Sequence, residues 1–277
     1  MALMPGRSAI RADLVRLGLS EGRDVLVQAS LRQLGRVQGG AAAVTAAIRD
    51  VIGPAATLVV PTQTAGNSTT SRAYRHATKG MDATERAAYE QQIAGFDRDT
   101  PSQDMGALAE FVRRHPLAVR SGHPQTSFAA VGPRAEELMV IHDLECHLGE
   151  RSPMAALYEA DAQVLLLGVG YDVCIAFHLG EYRLSHPVAR RAYTCFVMRE
   201  GRRERVEFQA EDIYDDDFAE LGADLAREGR VRTGRVGTAE AAVFTMKAAV
   251  DFAIGWMDKH REPTRRWRTD EDPFSLA

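Results

Sequence analysis

The chain has 277 residues, of which 45% are hydrophobic and 26% are charged, a composition typical of a globular protein with a large core. Its net charge of −4 and pI near 6.1 give no electrostatic reason to bind nucleic acid. No apolar run approaches the roughly 20 residues that a membrane span needs, so we expect no membrane partner.

The first quarter of the chain predicts a strand–loop–helix–strand unit. Apolar periodicity indicates an amphipathic helix, then a buried strand, a glycine-bearing loop, a second helix and a second strand. The corresponding ranges are 8–17, 24–29, 30–40, 41–51 and 57–61. Such a βαβ unit favours an α/β fold with a mixed central sheet flanked by helices.

The rest of the chain predicts further elements around that sheet. Residues 62–101 are polar and irregular, a lid-like segment with one helix at 83–93, and 163–169 is the strongest buried strand. The pattern then indicates a helix at 173–184, a hairpin at 192–199 and 203–208, and a long helix at 240–258. We expect a single domain over 1–277, with a smaller C-terminal hairpin-and-helix part at 186–260.

The cysteine count and the N-terminus indicate the compartment. Cys146, Cys174 and Cys195 are few and odd in number, which does not suit a disulfide framework. Residues 1–17 carry charges and lack the apolar region of a signal peptide. We therefore expect a cytoplasmic protein.

Two glycine-bearing segments follow predicted strands and are candidate ligand loops. The loop 30–40 precedes a helix, where backbone N–H groups can bind phosphate. An ordinary βα connection that binds no ligand would have the same sequence pattern. Its spacing matches neither the P-loop nor the dinucleotide fingerprint. Gly168 and Gly170 follow the best strand, but Val173 occupies the place of the third fingerprint glycine, which argues against a dinucleotide site.

Histidines and carboxylates supply the candidate chemistry. His178 and Glu181 are three residues apart and share a helix face, so they can form a general base with its orienting carboxylate, a structural hydrogen bond, or part of a metal site. His123 precedes Pro124 in a polar loop and can be catalytic, ligand-binding or structural.

Two further clusters of polar residues can be interpreted either as ordinary solvent-exposed residues or as ligand sites. His142, Cys146 and His147 superficially suggest zinc, but no second ligand pair follows, so we expect solvated loop residues. The acidic run 211–217 is either a solvated face or a subsite for a polycation, with Tyr214 suited to an amino sugar.

Taken in order, the motifs resemble those of the aminoglycoside 3-N-acetyltransferases, the antibiotic N-acetyltransferase family. They are SLRxxGxVxGG, VPTQ, FDxxTPSxDMG, HPxxSFAAxGPRAEEL, LLLGVGxDxCxxxHxxE and GRVGxAEA, at 30–40, 60–63, 96–106, 123–138, 165–181 and 234–241. The resemblance covers about 24–257. It departs from the family pattern at Gln28-Ala29, where His-Ser is common, and at Ile175, where Thr is common.

The resemblance implies a non-GNAT α/β fold, acetyl-CoA as donor without a metal, and the 3-amine of an aminoglycoside as acceptor. It implies direct attack of the amine, with His178 as base, Glu181 as its orienter and Thr62 near the thioester. The cofactor contacts it implies are Ser30, Leu31, Arg32, Gly35, Val37, Gly39, Gly40, Arg120 and Ser121. The substrate contacts we expect are Asp97, His123, Asp172, Asp215, Asp216 and Asp217.

Other functions compete with this one. A metal-dependent hydrolase would use His178, Glu181 and His123. An acetyltransferase of non-antibiotic amines, or a ligand-binding protein without turnover, would share the same motifs. We expect a monomer or a homodimer.

Overall fold

The computed structural model describes residues 4–186 and 188–261. Nine strands lie in these ranges: β1 Val25–Ala29, β2 Leu58–Pro61, β3 Val119–Arg120, β4 Phe128–Val131, β5 Gln163–Leu167, β6 Arg190–Arg199, β7 Arg202–Glu211, β8 Arg232–Val236 and β9 Ala239–Thr245. Ten helices lie there as well: α1 Arg7–Leu17, α2 Gly40–Ile52, α3 Arg72–Ala77, α4 Ala83–Gln92, α5 Gly106–Arg113, α6 Ala135–Met139, α7 Pro153–Glu159, α8 His178–Glu181, α9 Phe218–Arg227 and α10 Met246–His260.

A seven-stranded mixed sheet forms the centre, in the order β3-β4-β2-β1-β5-β9-β8. The strand β1 pairs in parallel with β2 and β5, whereas the outer strands pair antiparallel. The predicted βαβ unit, β1–α2–β2, and the mixed sheet are confirmed.

Both faces of the sheet are buried. Along β1, Val25 and Val27 pack into the core on the side of α1, α2 and α5, while Leu26 packs on the side of α9 and α10. All five residues of β5 are buried, from Gln163 to Leu167. Central strands covered on both faces have this near-continuous apolar character.

The predicted hairpin is confirmed as a separate two-stranded sheet of β6 and β7. Its turn places Glu200 at φ 49° and Gly201 at φ 75°, which suits a tight two-residue connection. The segment 62–101 packs on this hairpin: Asn67 exchanges two 2.7 Å side-chain hydrogen bonds with the backbone of Phe196. That segment contains α3 as well as the predicted helix α4.

Two helix predictions were wrong in part. Residues 239–245 form β9, because they pair with β5 from Ala241↔Leu167 to Thr245↔Gln163, and only α10 is helical. The expected helix at 173–184 reduces to two 3-10 turns, Tyr171–Val173 and Ile175–Phe177, followed by the four-residue α8. Within the described ranges, no helix is both long and apolar enough to cross a membrane.

Candidate active site

The carboxyl ends of the parallel strands bring the candidate loops together. Ser30 follows β1, Thr62 follows β2 and Gly168 follows β5, and these strands share one direction. The backbone N–H of Ser30 donates to Leu167 O at 2.9 Å, which joins the first loop to the end of β5. This edge is where open α/β sheets place their ligands.

The loop 30–40 leads into a helix N-terminus that faces solvent. Gly35, Gly39 and Gly40 have φ values of 77°, 85° and 54°, a region that favours glycine. Leu34 is fully buried and anchors the loop, whereas Gly39 and Gly40 are exposed. The N–H of Gly40 donates to Val37 O at 3.0 Å, so the N–H groups of Ala41 and Ala42 in the first turn of α2, a 13-residue helix, are the ones available for an anion.

Gly168 lets this loop approach β5. Its φ is +70°, and a Cβ there would lie 2.7 Å from the Cβ of Gln33 and 3.0 Å from the backbone oxygen of Ser30. A side chain would push the two segments apart. The glycine after β5 therefore serves close packing between two ligand-edge loops.

The two 3-10 turns after β5 deliver His178 to the start of α8. Its Nδ1 lies 2.6 Å from Glu181 Oε2, and the two side chains are 13% and 1% exposed. Phe218 packs against the imidazole with ring centroids 4.7 Å apart. Among residues 4–186 and 188–261, no hydrogen bond reaches His178 Nε2. A histidine that donates from Nδ1 to a carboxylate keeps a lone pair on Nε2 for proton transfer.

Glu181 is held by more than His178. Its Oε1 accepts from Tyr214 N at 3.0 Å and from Arg261 Nη1 at 2.7 Å. We did not predict Arg261 from the sequence, because it lies 80 residues from Glu181 and no local pattern marks it.

Gln28 ties the end of β1 to the loop that leads to His178. Its side-chain amide accepts from Ile175 N at 2.9 Å and donates to Val173 O. Ile175 is 5% exposed and packs in the core. Both departures from the family pattern therefore meet at one hydrogen bond.

The predicted substrate carboxylates fall into two groups. Asp172, Asp215 and Asp216 are exposed. Asp217 instead accepts two hydrogen bonds from Arg261, at 2.6 and 2.8 Å. Asp97 is exposed, but its Oδ1 accepts from Asp99 N, Thr100 N and Thr100 Oγ1 within a local turn.

The side chains of Thr62, Arg120 and Ser121 already have partners within the fold. Thr62 is fully buried, with its hydroxyl 3.4 Å from Ser127 Oγ. Arg120 donates to Thr62 O at 2.7 Å and to the carbonyls of residues 98 and 100, and burial lowers its pKa to about 10. Ser121 is 1% exposed and accepts from Phe128 N at 2.9 Å.

His123 belongs to a histidine cluster rather than to the His178–Glu181 pair. Its ring centroid lies 4.8 Å from that of His142 and 4.6 Å from that of His147. Its Nδ1 accepts from Gln125 N at 3.1 Å, and its Nε2 lies 3.2 Å from Leu144 O. The expectation of solvated loop residues was wrong for His147, which is 3% exposed.

Burial governs the charge state of this histidine cluster. It lowers the pKa of His142 to about 4 and that of His147 to about 3. Burial, together with His147 and His142, lowers the pKa of His123 well below its ordinary value. In the described part of the chain no group of three or more His, Cys, Asp or Glu residues is arranged to hold a metal ion. His123, His178 and Glu181, the three residues that a metal-dependent hydrolase would use, therefore do not form such a group in the described residues.

Comparison with known proteins gives first a class: the chain is an acyltransferase. The family model described as Aminoglycoside 3-N-acetyltransferase matches residues 26–258. The chain belongs to the aminoglycoside 3-N-acetyltransferase family.

Individual relatives match over nearly the full length. The SPbeta prophage-derived aminoglycoside N(3')-acetyltransferase-like protein YokD of Bacillus subtilis is 34% identical, with 90% of this chain and 91% of that protein covered. Aminoglycoside N(3)-acetyltransferase III of Pseudomonas aeruginosa is 30% identical, with 87% and 89% covered.

Solved structures agree with the fold. The crystal structure of YokD superposes with a TM-score of 0.87 at 31% identity, covering 94% of this chain and 96% of that one. AAC-IIIb in a binary complex with CoASH gives 0.82 at 27% identity, with 95% and 100% covered. AAC-VIa bound to sisomicin gives 0.81 at 28% identity, with 92% and 98% covered.

Proposed function

We propose that this protein transfers the acetyl group of acetyl-CoA to the 3-amine of an aminoglycoside, with His178 as general base. The observation that carries the proposal is the 2.6 Å contact between His178 Nδ1 and Glu181 Oε2 beyond the carboxyl end of β5. The structural neighbours with CoASH and with sisomicin support the donor and the acceptor class.

The donor would lie over the loop 30–40. Residues Ser30, Leu31, Arg32, Gly35, Val37, Gly39 and Gly40 would surround the CoA pyrophosphate and pantetheine, with the N-terminus of α2 supplying N–H groups and a positive dipole end. The hydrogen bonds of Arg120 and Ser121 favour a role in shaping this edge, because their polar atoms already have partners.

The acceptor would meet exposed carboxylates. Asp172, Asp215 and Asp216 are free to attract ammonium groups of a polycation through charge-assisted contacts. Asp217 and Asp97 would contribute to the field of this region, since each is engaged in hydrogen bonds within the protein.

The reaction we propose is a direct displacement. The amine is mostly protonated near neutral pH. Neighbouring ammonium groups lower its pKa, and the neutral form, whose ammonium proton has passed to solvent, is the nucleophile. His178 Nε2 takes a proton from the amine as its nitrogen forms a bond to the thioester carbonyl carbon. The C–S bond then breaks, and the proton on His178 passes to the CoA thiolate. Backbone N–H groups at the loop edge would stabilise the oxyanion; the full burial of Thr62 makes its hydroxyl a less accessible donor.

A thiol-release assay with acetyl-CoA tests this function. The acceptor panel contains tobramycin, gentamicin and non-antibiotic amines, and mass spectrometry identifies the acetylated position. We expect release with an aminoglycoside, and a decrease of about 10²–10⁴-fold in H178A. A fully active H178A protein would refute the base. Turnover with non-antibiotic amines alone would refute the acceptor but leave the chemistry standing.

A further inference from the structure

A single arginine lies behind the His178–Glu181 pair. Arg261 directly follows α10, where its backbone N–H donates to Met257 O at 2.8 Å. Its side chain is 5% exposed and donates through Nη1 to Glu181 Oε1 at 2.7 Å. Its Nε and Nη2 donate to the two carboxylate oxygens of Asp217 at 2.8 and 2.6 Å. One guanidinium therefore serves two carboxylates.

Burial makes this cation necessary. The side chain of Glu181 is 1% exposed and that of Asp217 is 18% exposed. A carboxylate removed from water stays ionised only when a counter-charge and hydrogen bonds replace its hydration. Although burial lowers the pKa of Arg261, its hydrogen bonds with Asp217 and the charge of Glu181 outweigh that effect and raise it. The guanidinium is therefore a permanent cation at this position.

The same contacts fix the rotation of the Glu181 carboxylate. Its Oε1 accepts from both Arg261 Nη1 and Tyr214 N, which leaves Oε2 facing His178. The guanidinium also stacks on the Tyr214 ring, 3.9 Å from its centroid. A carboxylate with two donors on one oxygen cannot turn without breaking both bonds, so the oxygen presented to the imidazole is determined.

We propose that Arg261 is a positioning residue for acyl transfer, which supplies the counter-charge of Glu181 and orients its carboxylate so that His178 holds its proton on Nδ1. The inference rests on the proposed function, since Arg261 acts on the reaction only through Glu181 and His178. With the proton on Nδ1, the lone pair on Nε2 stays available to the acceptor amine.

Steady-state kinetics of R261Q and R261K test the assignment. We expect R261Q to lower kcat by about 10- to 100-fold, as loss of a supporting hydrogen-bond partner does, with the KM values for both substrates unchanged. R261K retains a cation but cannot serve both carboxylates with a planar fork, so its kcat should fall between those of R261Q and wild type.

A double-mutant cycle separates positioning from folding. Because Arg261 acts through Glu181, R261Q combined with E181Q should have the kcat of E181Q alone. The control is R134Q: Arg134 pairs with buried Asp24 at 2.6 Å, just before β1 and away from the loops that follow the strands. This variant should be less stable and retain the wild-type kcat.

The outcomes are distinguishable. A normal kcat in R261Q beside an inactive H178A overturns the positioning role and leaves the base assignment standing. A fully active H178A overturns the proposed function itself. If R261Q does not fold, R261K decides the question, and a wild-type kcat in that variant overturns the inference.

Discussion

Acidification should begin to destabilise this protein at pH values well above those at which its carboxylates titrate. In the buried histidine cluster, burial lowers the pKa of His142 to about 4 and that of His147 to about 3. Unfolded histidines bind protons near pH 6.5, whereas these remain neutral in the folded state. The two neutral histidines therefore cost the folded state nothing above about pH 6.5, and the free energy of unfolding declines as the pH falls below that value.

The magnitude follows from proton linkage. Each such histidine changes the free energy of unfolding by about 1.4 kcal/mol per pH unit. His142 and His147 together therefore lower the free energy of unfolding by about 4 kcal/mol between about pH 6 and about pH 4.5. That is a large share of the roughly 5–15 kcal/mol by which folded proteins are stable. Carboxylates titrate at lower pH. Burial raises the pKa of Glu110, but the contacts from Arg113 and Ser102 together outweigh burial and lower that pKa to about 2, so the contribution of Glu110 to stability declines only below about pH 4.5.

Urea unfolding from about pH 7 to about pH 4.5 measures this slope. His147→Phe should reduce the slope by about 1.4 kcal/mol per pH unit. In the described ranges neither ring nitrogen of His147 has a hydrogen-bond partner, so replacing His147 by phenylalanine removes no hydrogen bond. The control His76→Gln removes an exposed histidine and should leave the slope unchanged. A flat wild-type profile, or equal slopes in wild type and His147→Phe, would refute the reasoning.

Two further predictions concern the edge of the sheet. Gly168→Ala should lose about 1–3 kcal/mol of stability, because its φ is +70° and a Cβ would lie 2.7 Å from that of Gln33. Displacement of the loop beginning at Ser30 should also weaken CoA binding; calorimetry giving a wild-type Kd would contradict the assignment of that loop. Gln28→Leu removes two hydrogen bonds to residues 173–175. We expect kcat/KM to fall about tenfold, which corresponds to about 1.4 kcal/mol of transition-state stabilisation. The Tm of the variant is measured in parallel. An unchanged kcat/KM would show that the approach to His178 does not need this bridge.

The parts of the fold that local patterns specify were predictable. The βαβ unit of β1, α2 and β2 follows from apolar periodicity and the glycines around it. The His178–Glu181 pair follows from a three-residue spacing on one helical turn. The strand β9 was not predictable in this way, because residues 239–245 are rich in alanine and read as helix, whereas pairing with β5 overrides that propensity.

The support around the site depends on contacts between distant residues. Arg261 reaches Glu181 across 80 positions, and His123 meets the histidines near residue 145 only because the loop before β4 packs against them. A carboxylate run gives no indication of which member pairs with a cation, so Asp217 could not be separated from Asp215 and Asp216. Such pairings are properties of the packed chain rather than of any window of sequence.

The late position of Arg261 has a consequence for synthesis. Glu181 emerges from the ribosome 80 residues before the arginine that neutralises it. At about 5–20 residues per second, roughly 4–16 s pass in which the carboxylate has no such cation. During this interval the hairpin of β6 and β7, the helix α9, the strands β8 and β9, and the helix α10 are still being made. The nascent chain should therefore be inactive until its last described helix is complete, and acetylation should begin as a single late event rather than grow with chain length.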